Sequence, residues 1–262
     1  MIPQAYIIEW RSVAPWISDA QIEQDLIICR SLLSLFSNKL VAENLAFRGG
    51  TALHKLFLQP PSRYSEDIDL VQIKAGPIGY VIDAVHEVLD NFLGIPQRKQ
   101  GQDTVTLTYR VESEIQPIVP LKLKVEINTR EHFSVLGYLE QSFSVNSRWH
   151  SGSCKIKTYK LEELLGTKLR ALYQRRKGRD LFDLWLGLTL GKADPCIIVK
   201  TFQEYMLAER LSVSQKEYQK NLVEKMKKKA FLSDTDNLLR TAIKYDPDEA
   251  FQLIDKSILM LL

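Results

Sequence analysis

The sequence has few cysteines and no long uninterrupted apolar segment. Its 262 residues include only three cysteines, Cys29, Cys154 and Cys196, which are far apart and odd in number. This pattern excludes a disulfide framework and predicts free thiols in a reducing compartment. The apolar runs are far shorter than the roughly 20 residues that a membrane helix needs, and the N-terminus lacks the basic and apolar regions of a secretory signal. We therefore expect a cytoplasmic protein without a membrane partner.

Glycine, proline and net charge are also modest. The 12 glycines and 10 prolines exclude a collagen-like or low-complexity chain, and a net charge of +3 with 9% aromatic residues argues against disorder. The charge is unevenly distributed, with 14 basic and 17 acidic residues in 1–150 but 21 basic and 15 acidic residues in 151–262. A basic C-terminal part could contact phosphate or RNA, although solvated lysines and arginines explain the excess more simply.

The hydrophobic pattern predicts an α/β N-terminal part and a helical C-terminal part. Ser18 and Gln21 form a capping box that opens a helix. From residue 161 onward the apolar spacing is almost entirely helical, so we place the domain boundary between an α/β domain, 1–154, and a helical domain, 155–262. The α/β domain is expected to contain strands at 45–47, 65–71, 104–111 and 121–128, a helix at 78–93, and short strands within 132–158.

The strongest chemical signal is the pair Asp67 and Asp69. Because side chains alternate across a strand, both carboxylates lie on one face while Ile68 points into the core. Mg²⁺ is commonly held by one or two carboxylates with substrate phosphates and water, although a solvent-exposed strand end would also account for the pair. Glu126 lies on the outward face of the later strand. If the two strands are neighbours, the three acids make the set that two-metal phosphoryl chemistry uses.

A glycine turn precedes the carboxylate pair. Gly49, Gly50 and Thr51 stand between a strand and a helix. Glycine allows the backbone to approach a ligand closely, and the N–H groups at a helix start suit a phosphate. The Thr51 hydroxyl either adds a hydrogen bond to that phosphate or caps the helix. The turn and the carboxylate pair together predict a phosphate cradle beside a metal site.

A basic segment lies in the helical part. Lys168 is placed beside an apolar leucine stripe, where it would neutralise a nucleotide phosphate as a point charge. Asp180 or Asp183 would hold it in place, and the spacing does not distinguish the two. A purely structural alternative is that Asp180 caps the following helix and that Arg179 pairs with Asp183 at i,i+4.

Taken in order, these segments resemble the AbiEii/AbiGii nucleotidyltransferase-like toxins of bacterial toxin–antitoxin and phage abortive-infection systems. The resemblance spans about residues 45–190. It rests on Gly49-Gly50-Thr51-Ala52-Leu53-x-Lys55 with Arg63-x-Ser65-Glu66-Asp67-Ile68-Asp69-Leu70, on Val125-Glu126-Ile127-Asn128-x-Arg130-Glu131, and on Thr167-Lys168-Leu169-Arg170-Ala171-Leu172 through Arg179-Asp180-Leu181-Phe182-Asp183-Leu184. The wider superfamily has Gly-Ser in the first turn, where this chain has Gly50-Thr51 and keeps the hydroxyl.

The resemblance implies an α+β fold, with a DNA polymerase β-like nucleotidyltransferase core of a small mixed sheet and flanking helices plus a C-terminal helical domain. It implies Mg²⁺, with Mn²⁺ as a substitute, an NTP substrate, an RNA acceptor such as the tRNA 3′ end, and a cognate antitoxin encoded nearby. The implied metal ligands are Asp67, Asp69 and Glu126. The implied catalytic residues are these three with Lys168, Asp183 and Asp180, and the nucleotide-binding residues are Gly49, Gly50, Thr51, Ser65, Lys168 and Arg170.

Two other functions stay open at this stage. The chain could bind a nucleotide such as GTP without transferring it, or it could modify a protein or a small molecule. A hydrolase is disfavoured because the four histidines, His54, His86, His132 and His150, lack metal or triad spacing. His54 is predicted to lie on a helix surface.

Overall fold

The computed structural model describes residues 2–262, which form two compact units. Unit 1 comprises residues 2–56, 64–133 and 138–158, and unit 2 comprises residues 57–63, 134–137 and 159–262. The main division thus lies between Thr158 and Tyr159. Two short segments, 57–63 and 134–137, which the sequence pattern assigns to the N-terminal domain, belong to unit 2.

The centre of unit 1 is a mixed sheet of seven strands within the described residues, in the order β3-β4-β5-β2-β1-β7-β6. Strand β1 is antiparallel to β2 and parallel to β7, and β2 is parallel to β5. The strands are β1 (Leu45–Arg48), β2 (Asp67–Gln72), β3 (Gln97–Gln100), β4 (Thr104–Glu112), β5 (Pro120–Asn128), β6 (Tyr138–Asn146) and β7 (Ser151–Tyr159).

The four strands predicted in the first 128 residues are confirmed. Strands β4 and β5 alternate in burial over most of their length, as in a half-covered sheet, whereas β1 is almost completely buried. The segment 132–158 differs from expectation, since it contains two nine-residue strands rather than several short ones. The exposed polar strand β3 has no apolar alternation and was not predicted.

The helices of unit 1 cover the sheet and its edges. Helix α2 begins at the predicted capping box, in which the Ser18 hydroxyl accepts the Gln21 N–H and the Gln21 side chain accepts the Ser18 N–H. It then packs on β2, β5 and β6. The helices are α1 (Gln4–Trp10), α2 (Asp19–Ser37), α3 (Lys39–Asn44), α4 (Gly49–Ala52), which continues into a π-helical turn (Leu53–Phe57), and α5 (Gly79–Leu93).

Unit 2 is helical, as the sequence predicts from residue 161 onward. Helix α6 is central and packs on α7, α8 and α9. The helices are α6 (Leu161–Gln174), α7 (Gly178–Thr189), α8 (Pro195–Ala208), α9 (Gln215–Met226), α10 (Lys229–Leu232) and α11 (Pro247–Ser257).

A buried carboxylate explains why the segment 134–137 belongs to unit 2. Glu163 of α6 is inaccessible to solvent and accepts four hydrogen bonds, all between 2.7 and 2.9 Å. The donors are the Ser134 hydroxyl, the backbone N–H groups of Val135 and Leu136, and the Tyr205 hydroxyl. A buried carboxylate needs such a set of donors, because it would otherwise be costly to remove from water.

The three cysteines, Cys29, Cys154 and Cys196, are free thiols, as the sequence predicts. Burial raises the pKa of the Cys29 thiol to about 12, which keeps it protonated and unreactive. Across residues 2–262, no helix combines the length and the apolar character needed to cross a bilayer.

Candidate active site

The carboxylate pair lies on β2 as its alternation predicts. Asp67 and Asp69 are both partly accessible, whereas Ile68 and Leu70 between and after them are buried. The two carboxylates therefore share the outward face of a strand whose other face belongs to the core. Two like charges on one strand face repel each other, so the arrangement favours a cation.

Strand β5 adds two charged residues to this face. It pairs with β2 in parallel, so that Asp67 is level with Lys124 and Asp69 is level with Glu126. The strand that carries Glu126 is thus a neighbour of the strand that carries Asp67 and Asp69. However, the Lys124 ammonium lies 2.6 Å from the Glu126 carboxylate. Burial lowers the pKa of Lys124, but the opposing effect of Glu126, Asp67 and Asp69 leaves it above its usual value.

The three acids share a face without forming one set of metal ligands. Within residues 2–262, no three His, Cys, Asp or Glu side chains are placed to hold a single metal ion. The Glu126 carboxylate is paired with Lys124 at 2.6 Å. The donor set that remains for a cation is the pair Asp67 and Asp69.

Gly49 brings the backbone of the turn directly against Asp69. Its φ is +80°, a left-handed conformation that side chains with a Cβ avoid. A Cβ built at this position would lie 2.1 Å from Asp69 Oδ2 and 2.9 Å from the Asp69 Cβ. Glycine is therefore required here for two independent reasons. The close approach of Asp69 also makes the position of its carboxylate dependent on the absence of a side chain at Gly49.

Thr51 links the same turn to the start of β2. Its side chain is buried, and its Oγ1 lies 2.8 Å from the Ser65 Oγ and donates to the Asp67 carbonyl oxygen. The hydroxyl is thus occupied by the strand that carries the carboxylates, rather than by a helix cap. The turn and β2 are held together on both sides, by Gly49 at Asp69 and by Thr51 at Asp67.

A buried ion pair fixes the helix that follows the turn. Lys55, in the π-helical turn, donates to Asp25 of α2 at 2.6 Å, and the indole N–H groups of Trp10 and Trp16 donate to the same carboxylate at 3.0 Å. Burial lowers the pKa of Lys55, but the Asp25 charge outweighs it and raises the pKa above its usual value. Sequence reasoning missed Asp25, because nothing local relates it to Lys55.

His54 corrects one expectation. The sequence places it on a helix surface, yet only 2% of the residue is exposed. The reason is the π-helical geometry of Leu53–Phe57, which changes the angular spacing of side chains from the α-helical value on which the prediction depends.

Unit 2 contains a network of five charged side chains, of which four are buried and the fifth, Arg175, is exposed. Lys168 of α6 lies 3.0 Å from Asp183 and 3.2 Å from Asp180, both on α7. Arg63 donates two hydrogen bonds of 2.7 Å to Asp183, and Arg175 donates two of 2.7 and 2.8 Å to Asp180. The sequence does not distinguish Asp180 from Asp183 as the partner of Lys168. In the structure, both aspartates contact Lys168.

The network carries one positive charge in excess, because three cations face two carboxylates. Burial would raise the pKa of Asp180, but Lys168 and Arg175 hold it below its usual value. Both aspartates are inaccessible to solvent, and Lys168 is 7% exposed. The charges are thus fixed before any ligand arrives, and the network presents a preorganised positive potential.

Two arginines near Lys168 have structural partners. Arg170 is buried, lies 2.9 Å from Glu209 and stacks 4.9 Å from the ring centre of Tyr205. Arg179 is near Asp234, with 4.0 Å between the charged atoms, so the i,i+4 pair with Asp183 expected in the structural alternative does not form. Asp183 is instead taken up by Arg63 and Lys168.

Solved structures of similar fold include three proteins from bacteria. MenT4, a nucleotidyltransferase toxin from Mycobacterium tuberculosis, is 17% identical with a TM-score of 0.67, over 100% of this chain and 91% of that one. JHP933 from Helicobacter pylori is 18% identical with a TM-score of 0.57, over 93% and 92%. A putative nucleotidyltransferase from H. pylori is 19% identical with a TM-score of 0.55, over 94% and 99%. No curated protein sequence matches the chain.

The sequence itself assigns the family. Residues 30–254 match the model of the nucleotidyl transferase AbiEii toxin of type IV toxin–antitoxin systems. The matched segment contains the carboxylate pair, the glycine turn and the network of charged side chains in unit 2. The chain therefore belongs to the AbiEii family of nucleotidyltransferase toxins.

Proposed function

We propose that this toxin transfers a nucleoside monophosphate from an NTP to a hydroxyl group of RNA, such as a tRNA 3′ end, with Mg²⁺ bound by Asp67 and Asp69. We further propose that unit 1 is a DNA polymerase β-like nucleotidyltransferase core. The observation that supports both is the carboxylate pair on β2 held against the Gly49 turn.

The donor set suits a hard divalent cation. Asp67 and Asp69 offer carboxylate oxygens on one strand face, and Mg²⁺ is typically bound by one or two carboxylates together with substrate phosphates. Mn²⁺ has similar ligand preferences and would substitute for it. When bound, the cation supplies neutralisation of the triphosphate charge and orients the reacting phosphate.

The residues of unit 1 act mainly by positioning. The acceptor hydroxyl oxygen forms a bond to the α-phosphorus, the bond between the α- and β-phosphates breaks, and pyrophosphate leaves. The absence of a side chain at Gly49 leaves the space that the Asp69 carboxylate occupies, and Thr51 holds the start of β2. Backbone N–H groups of Gly50 and Thr51 are available for a phosphate at the start of the helix. We assign the hydroxyl proton to Glu126, which is partly exposed on the neighbouring strand.

Lys168 contributes a fixed positive charge. It is held by Asp180 and Asp183, and its network retains one net positive charge. We propose that this charge interacts with a phosphate group of the substrate, as an electrostatic rather than a chemical contribution. Family membership also implies a cognate antitoxin, which we expect to be encoded nearby, and a cytoplasmic site of action.

The test is label transfer to RNA. Each α-³²P-labelled NTP is incubated with Mg²⁺, total bacterial RNA and either the wild type, Asp69→Ala or the control Asp83→Ala, which removes an exposed acid of α5. We expect label on a tRNA-sized band with the wild type and the control, and none with Asp69→Ala. Label that persists in Asp69→Ala would overturn the metal assignment. If none of the four nucleotides labels RNA, the proposal that RNA is the acceptor is overturned.

A further inference from the structure

Unit 2 has a polar pocket at the C-terminal end of α6 that the proposed chemistry does not use. The pocket has a volume of about 510 Å³ and is lined by the end of α6 with the residue that follows Arg175, by one side of α9 along its length, and by Lys228 after α9. Its cations are Arg176, Lys220, Lys225 and Lys228, and its acids are Glu217 and Glu224. It also contains the Tyr173 side chain.

Both acids of the pocket are engaged by their own helix. Glu217 accepts hydrogen bonds from the Ser214 N–H and hydroxyl at the start of α9, and Glu224 pairs with Lys227 at 2.7 Å. In contrast, Arg176, Lys220 and Lys228 form no ion pair with any carboxylate in the part of the chain that the structure describes. These three exposed cations line the pocket without a direct ion pair, and Glu224 interacts with Lys220 and Lys228 only at longer range.

Lys225 adds a buried cation to this wall. Only 4% of the residue is exposed, and its ammonium donates to the carbonyl oxygens of Leu172 and Tyr173 at the end of α6. The pKa of Lys225 is lowered to about 8, mainly by burial and secondly by the positive charge of Arg176. The negative charge of Asp180 has a smaller, opposing effect. Lys225 and Arg176 thus place two like charges at this wall of the pocket, and an anion between them would relieve their repulsion.

Two further groups indicate more than a bare anion. Tyr173 lines the pocket with an aromatic ring that packs on Tyr218, with 5.3 Å between the ring centres. Asn221 Oδ1 is buried at the pocket and receives no hydrogen bond within residues 2–262. An aromatic face, an acceptor that lacks a donor, and several cations match a base, a hydroxyl or amino group, and a phosphate.

We propose that this pocket binds a nucleotide residue of a single-stranded RNA segment, with Arg176, Lys220 and Lys228 at the phosphates and Tyr173 against a base. Single-stranded nucleic acids are bound in this way, by a basic groove combined with aromatic stacking. The inference rests on the proposed RNA acceptor and deepens it, because it places an RNA contact on unit 2. A free nucleotide has the same chemistry, so the test must separate it from RNA.

The test is the binding of a fluorescein-labelled 12-nucleotide single-stranded RNA, measured by fluorescence anisotropy over a range of salt concentrations. The pocket variant is Arg176→Gln, Lys220→Gln and Lys228→Gln combined. The control is Lys192→Gln, Lys200→Gln and Lys244→Gln combined, which removes the same charge from exposed positions of unit 2 outside the pocket. Each single-strand phosphate contact contributes about 0.7 to the salt slope, so we expect the pocket variant to lower it by about 2 and the control to leave it unchanged.

A second variant tests the base contact. Tyr173→Leu retains apolar packing on Tyr218 but removes the aromatic face, and we expect RNA binding to weaken by about five- to 100-fold. Equal RNA binding by the pocket variant and its control would overturn the proposal. It would also be overturned if the pocket variant lost binding of unlabelled NTP while RNA binding was unchanged.

Binding is measured without catalysis, so it separates the two proposals. If the wild type transfers no label to RNA but the pocket variant selectively loses RNA binding, the pocket assignment stands and the proposed reaction fails. If label transfer succeeds and the pocket variant binds RNA as the control does, the reaction stands and the pocket assignment fails.

Discussion

Replacing Gly49 by alanine should lower activity strongly and stability moderately. The added Cβ would lie 2.1 Å from Asp69 Oδ2, whereas ordinary contacts begin near 3.4 Å, so the carboxylate must move by about 1.3 Å. A displacement of about 1 Å at a reacting group can lower the rate about 100-fold, which corresponds to about 2.7 kcal/mol. The positive φ adds about 1–2 kcal/mol of destabilisation for any residue with a Cβ.

Gly94 provides a matched control for this prediction. Its φ is +78°, close to the +80° of Gly49, but a Cβ there would meet nothing within 4 Å. Gly94→Ala should therefore lose a similar 1–2 kcal/mol in urea unfolding and keep label transfer within about twofold of the wild type, since nothing moves at Asp69. The reasoning is refuted if Gly49→Ala transfers label as well as Gly94→Ala does, or if Gly94→Ala is equally inactive.

Three further substitutions test the contacts around the site. Thr51→Val should cost about 1–3 kcal/mol in urea unfolding, because the partly buried Asp67 carbonyl loses its donor, whereas Thr51→Ser keeps the donor and should cost less; equal losses would contradict this. Asp25→Asn leaves the buried Lys55 charge unpaired and should cost about 3–5 kcal/mol; a loss below about 1 kcal/mol would count against the ion pair. Asp180→Asn should destabilise most at neutral pH. The Asp180 pKa lies below its ordinary 3.8, so its contribution is full above that pH and disappears as the pH falls through the lowered folded value; a pH-independent difference would exclude this assignment.

Local patterns were enough to predict the carboxylate pair. Two-residue alternation on a half-buried strand fixes the faces of Asp67, Ile68 and Asp69, whatever the strand pairs with. The capping box at Ser18 is equally local, because its two hydrogen bonds close within three residues. Features of this kind depend only on spacing along the chain.

Features that depend on register or on distant partners were not predictable. Lys124 and Glu126 lie two residues apart on β5, so their pairing is local. Lys124 is level with Asp67 only because β5 pairs in parallel with β2, and this register cannot be read from either strand alone. Arg63 is 120 residues from Asp183, and Lys55 is 30 residues from Asp25. Likewise, the burial of His54 depends on a π-helical turn that its apolar spacing does not reveal.

The central claim is that Asp67 and Asp69 hold the metal with the nucleotide, and its most direct measurement is calorimetric binding of Mn²⁺ together with a nonhydrolysable NTP analogue. The wild type is compared with Asp69→Asn and Glu126→Gln. We expect Asp69→Asn to abolish metal-dependent nucleotide binding. Glu126→Gln should bind like the wild type but transfer label about 100- to 10,000-fold more slowly, as for loss of a proton acceptor. Metal-dependent binding that survives in Asp69→Asn would contradict the account.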